Sequence, residues 1–199
     1  MMLISELNKP EVAQLEEIRV ELPIQLALQQ EFLEAYELGK QTLHGINNVL
    51  SILINGKGFW GQWSTTHTLS GTHDPISDAI ELSIKIQPQL DKFQQELTDI
   101  SRHFSYRQDL QTPKDSNSFT FMFLYSRGLG GTKFTNLGIQ SRIKKWLAHL
   151  QKLQQRMDSK VSMLERELGI LQRRIKKLET EKQSIITQHW NESSFTSEP

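Results

Sequence analysis

The segment that comes nearest to reactive-site chemistry is a glycine-rich run, Gly128-Leu-Gly-Gly-Thr-Lys133. It follows an apolar stretch and precedes a helix-forming one, the setting in which backbone N–H groups at a helix start cradle phosphate. The spacing defeats that reading. Lys133 is followed by Phe134, where a phosphate loop needs Ser or Thr. No further strand–helix units follow to build a nucleotide-binding sheet. A turn between elements is expected here, with no cofactor.

Metal and acid–base chemistry are no better supported. His67, His73 and Asp74 share one aromatic-rich stretch, but the interval between the histidines is not a common ligand spacing. His44, His103, His149 and His189 are scattered, so no metal site is expected. The chain has no cysteine, which excludes disulfides, thiolate zinc sites and a thiol nucleophile. No Ser/His/Asp set can be assembled from the sequence. The neighbouring carboxylates Glu16 and Glu17 read as a solvated helix face. The expectation is a protein that is not an enzyme, has no catalytic residues and takes no small-molecule substrate.

Two segments carry binding chemistry. Arg166, Arg173, Arg174, Lys176, Lys177 and Lys182 form a basic cluster that would suit phosphates, or would flank a helix seam and meet glutamates. No aromatic residues interleave with it to stack on bases. Phe119, Phe121, Met122, Phe123, Leu124 and Tyr125 form a nearly continuous apolar stretch ahead of the glycine-rich run. It reads either as a short strand pair plugging the end of a helical body or as a membrane-inserting tongue, with Trp60 and Trp63 as interfacial aromatics.

The elements that must position these groups are helical. Ile143, Trp146, Leu150, Leu153 and Met157 alternate by three and four. After one extra four-residue step, a stutter, the ladder resumes at Val161, Leu164, Leu168, Leu171, Ile175 and Leu178. It fades through Lys182, Ile185 and His189. A seam this narrow and long needs a helical partner along its length. The predicted helix spans 139–190, a rod of about 75 Å at the α-helical rise.

Upstream, Asn8-Lys-Pro-Glu11 is a capping box that starts a first helix. Pro23 is expected to stop or kink that helix, or to open a second one running to Ile54. Gly39 and Gly45 interrupt the second pattern, as local weakness, a hinge or the close approach of a crossing helix. Residues 56–74 form a Gly/Trp loop. Asp74-Pro75 opens a central helix over 75–110, in which Pro88 is a kink site. Leu82, Ile84 and Ile86 alternate there, leaving helix and strand both open.

Charge divides along the chain. Residues 1–100 carry 14 acidic and 6 basic side chains, whereas 139–190 carry 5 and 12. An acidic helical half docking on a basic one is the simplest consequence, within one molecule or between copies. The N-terminus has no basic n-region followed by an apolar core, and no stretch reaches the length of a membrane span. A soluble, cytoplasmic protein is expected.

These features predict an all-α fold: a single elongated helical bundle over 1–199. It comprises N-terminal helices over 8–55, the central helix, a small non-helical insertion at 119–138, the coiled-coil helix and a disordered tail at 191–199. The function they predict is a coiled-coil assembly or adaptor protein acting by protein–protein contact or self-association. The alternatives are membrane insertion through 119–138 and nucleic-acid binding through 166–182.

Overall fold

The computed structural model describes residues 9–55, 75–103 and 136–195, and all of them are helical. Helix α1 runs Lys9–Asn55, α2 runs Pro75–His103 and α3 runs Asn136–Phe195. Among the described residues there is no strand. The starts follow local chemistry: α1 begins directly after Asn8 and α2 directly after Asp74, both good cap residues. The start of α3 falls three residues ahead of the predicted one, and its end passes Trp190 to reach Phe195. Residues 104–110 of the predicted central helix and residues 119–135 of the predicted insertion lie outside the described residues.

Pro23 does not divide the N-terminal region, contrary to the sequence expectation; α1 continues through it as one helix. An interior proline costs a helix about 3 kcal/mol. Here it is exposed, and it lies between Ile18 and Phe32, which are buried. Burying two such side chains is worth roughly 1.5–3 kcal/mol each, enough to offset the loss. Pro88 is likewise exposed within α2. The ambiguous Leu82–Ile86 stretch is helical: Ile86 is buried and Leu82 half-buried, while Ile84 points outward at 48% exposure.

The chain divides into two compact units. One is Ala35–Met163, built from the C-terminal part of α1, all of α2 and the N-terminal part of α3. Its core comes from all three helices, including Ile46, Leu50 and Leu53 of α1, Leu90, Phe93 and Leu97 of α2, and Trp146, Leu150 and Met157 of α3. Small residues let α1 and α2 approach closely. A Cβ on Gly39 would lie 2.7 Å from Cε2 of Phe93 and 3.0 Å from Cγ2 of Val161. A Cβ on Gly45 would lie 2.8 Å from Cγ1 of Ile86. Of the three readings of these glycines, close approach is the one the structure shows.

Two buried hydroxyls in this unit bond back along their own helices. Thr42 donates to the Leu38 carbonyl at 2.8 Å and Ser83 to the Ala79 carbonyl at 2.6 Å, so neither is left unsatisfied. The indole Nε1 of Trp146 is buried and has no acceptor among the described residues. Side-chain contacts fix the helix directions. Gly39 neighbours Phe93 and Gly45 neighbours Ile86, so α2 runs antiparallel to α1. Gly39 also neighbours Val161 and Asn47 bonds Gln154, so α3 is antiparallel to α1 as well. Within this unit α2 and α3 therefore run in the same direction.

The other unit is Met1–Glu34 with Leu164–Pro199, and its described part is two helix segments, one from α1 and one from α3. Ile18 and Phe32 of α1 are buried with Leu164, Leu168, Leu171, Ile175 and Leu178 of α3. Two helices bury one stripe each and leave their flanks open to solvent.

A candidate helix-docking groove

In the two-helix unit, α1 places Ile18, Gln25 and Phe32 at seven-residue intervals on its buried stripe. Gln25 is a polar residue in an otherwise apolar row. Its amide Nε2 donates to Glu21 Oε1 at 3.4 Å. The same carboxylate oxygen accepts from Nη2 of Arg174 in an ion pair across to α3. Glu21 is the more enclosed partner and Arg174 is largely exposed, so the pair is worth at most about 1 kcal/mol. Its main effect is to tie the buried Gln25 amide to a defined place on α3.

Beside this network lies a groove of about 540 Å³. On α1 it is lined by Gln14, Glu17, Ile18 and Glu21, residues spaced by three, four and seven on one helix face. On α3 it is lined by Ile170, Arg173, Arg174, Lys177, Leu178 and Glu181. Ile18 and Leu178 are buried and supply its apolar floor, while Ile170 is 47% exposed at its rim. The walls differ in charge: Glu17 and Glu21 on the α1 side, and on the α3 side Arg173, Arg174 and Lys177 against the single acid Glu181. Lys177 Nζ also meets Glu181 at 3.6 Å along α3.

The exposed large apolar side chains concentrate in the same unit. Val20, Ile24, Leu26 and Leu33 on α1 and Ile170 and Ile186 on α3 all exceed 40% exposure, against Ile54 and Ile84 in the three-helix unit. Ile24 sits one turn past Glu21, seven residues from Glu17 and so on the same face of α1.

The residues nominated from sequence distribute as follows. Seam positions Ile143, Trp146, Leu150, Leu153, Met157 and Val161 are buried in the three-helix unit; Leu164, Leu168, Leu171, Ile175 and Leu178 are buried in the two-helix unit. Val161, at the stutter, is the side chain that lies against Gly39. Beyond Leu178, Lys182 is exposed and Ile185 half-buried. The basic residues Arg166, Arg173, Arg174, Lys176, Lys177 and Lys182 are all exposed on α3. Two of them face acids, Arg174 with Glu21 and Lys177 with Glu181, so the cluster is not an uninterrupted cationic face. Phe119, Phe121, Met122, Phe123, Leu124 and Tyr125 lie outside the described residues, as do the 56–74 loop and Gly128–Lys133.

Among the described residues no three carboxylate, histidine or cysteine groups converge to hold a metal. None of the described helices is long and apolar enough to cross a membrane. The α1 wall of the groove and Ile170 were not foreseen from sequence. The available signal was an apolar residue off the seam, as at Val20, Ile24 and Ile170, where a helix closed by one partner has no use for it. No protein-family model, curated protein or solved structure matches the chain.

Proposed function

We propose that the protein is a non-enzymatic coiled-coil assembly or adaptor protein that acts by protein–protein contact through its two-helix unit. The observation that carries this reading is the open groove between α1 and α3, with an apolar floor, Ile170 exposed at its rim and further large apolar side chains exposed elsewhere on the same two helix segments. In water such residues cost solvation energy unless a partner covers them, and clustered exposed apolar residues mark interaction sites. The mixed charge of the groove disfavours the nucleic-acid alternative, since Glu17 and Glu21 repel phosphate along one wall.

The test uses the full chain with two exposed substitutions together, Ile24→Asp and Ile170→Asp, and with Ile84→Asp on α2 as control. Surface changes of this kind shift stability by no more than about 0.5 kcal/mol, so all variants should fold alike. Solution mass and cross-linking in extracts of the source cells are then compared. The expected result is association, with itself or with a defined protein, that the paired variant loses and the Ile84→Asp variant keeps. Equal association by both variants, or none by the wild-type chain, overturns the reading.

A further inference from the structure

In the three-helix unit, α1 and α3 are covered by a third helix, α2. In the two-helix unit the same two helices have no third helix among the described residues, and the groove lies open. Its floor is a narrow apolar strip, Ile18 and Leu178, between two charged walls. Glu17 and Arg173, one on each wall, make no ion pair with another described residue and remain available to a ligand.

The geometry points to an amphipathic helix of another protein as the occupant, with an acidic edge along α3 and a basic edge along α1. The two walls set the direction in which that helix runs. This rests on the reading of the two-helix unit as a protein-binding element. A helix laid in a groove and turned end for end exchanges its left and right edges. Only one of its two directions then places the acidic edge against Arg173 and Lys177 and the basic edge against Glu17. Unlike walls therefore encode polarity as well as partner choice, in the way that edge charges do in paired helices. A ligand of one charge sign, such as a phosphate backbone, meets repulsion from one wall in either direction.

The absence of native cysteine makes the test direct. The probes are synthetic peptides about three heptads long with apolar seams, bearing glutamates on one edge and lysines on the other. Companion peptides carry glutamates on both edges or lysines on both. Each mixed-edge peptide also carries a cysteine in its first turn, and a further version has its edges exchanged. Full-length chains with Gln14→Cys or Ile24→Cys offer a trap at either end of the groove.

The mixed-edge peptides should bind about tenfold more tightly than either uniform one, two or three exposed pairs being at stake. Disulfide trapping should favour one cysteine site for one edge arrangement and the other site when the edges are exchanged. With Arg173→Glu and Lys177→Glu together, both walls become acidic, and the lysine-edged peptide should become the tightest binder. Equal affinity for all peptides, or trapping indifferent to edge order, overturns the charge-coded groove while leaving the adaptor reading intact. Failure of every peptide to bind overturns the groove as a helix seat. In that case association in solution still reports separately on the adaptor reading. Concentration-dependent mass of the chain alone that Ile170→Glu abolishes would make a second copy the occupant, and would overturn the assignment to another protein.

Discussion

At the residue scale, glycine makes opposite contributions at two places in this chain. Gly39 sits where an added methyl would collide with the ring of Phe93, a side chain that is itself fully buried. At Gly169 an added Cβ would meet only Nη1 of Arg173, at an ordinary contact distance of 3.8 Å. Gly→Ala gains up to about 1 kcal/mol of helix propensity at either site. Overpacking costs roughly 1–3 kcal/mol and applies only at the first. Gly39→Ala should therefore lower stability by about 1–2 kcal/mol, and Gly169→Ala should raise it by about 0.5–1 kcal/mol. Denaturant midpoints for the two variants check the pair, and the same sign at both sites would refute the packing argument. The sequence offered close approach as one of three readings of Gly39. It could not choose, because the deciding atoms belong to Phe93 and Val161 on other helices. The Glu21–Arg174 pair was hidden for the same reason: only the charge imbalance between chain halves hinted that acid and base would meet.

At the element scale, the starts of α1 and α2 were legible and helix continuity was not. In the sequence Asn8 and Asp74 stand directly before α1 and α2, and a cap signal needs only a few adjacent residues. Pro23 misled because its cost is local while the compensation, burial of Ile18 and Phe32, is tertiary. The proline is an exposed helix-interior residue whose ring contributes nothing to the core, so Pro23→Ala should raise stability by about 1–3 kcal/mol. Thermal unfolding followed by circular dichroism measures this, and an unchanged or lowered midpoint would show that the proline has a packing role. The alternation at Leu82, Ile84 and Ile86 resolves in the same way. Helical spacing puts Leu82 and Ile86 on one side and turns Ile84 out, which no window of five residues could decide. The apolar stripe named over 143–178 is buried, since a narrow apolar stripe in a long helix is costly to leave in water. Its partners were not readable, since a stripe looks the same whatever covers it.

At the scale of the whole molecule, burial is uneven. Nearly all of the largest fully buried side chains belong to the three-helix unit, among them Phe93, Ile46, Leu53, Leu90, Leu97, Ile100 and Leu150; Leu164 is the member from the two-helix unit. Local opening free energy follows such differences in core. Amides of α1 before Glu34 and of α3 after Leu164 should therefore exchange faster than those of α2 and of the buried stretches around Leu50 and Leu150. Native-state hydrogen exchange resolved by segment tests this, and uniform protection would mean that the two-helix unit is held by more than its own core. The shared direction of α2 and α3 bears on the order of assembly. Helices α1 and α2 can meet across the short 56–74 connection, whereas the Asn47–Gln154 bond closes a loop of 107 residues. Long closures carry more entropy and come later. The groove needs both α1 and α3, so it does not exist on a nascent chain until α3 has emerged and turned back. On the proposed reading, a partner of the groove would meet only chains in which α1 and α3 have both formed and paired, so the groove would be a mark of maturity as well as a place to bind.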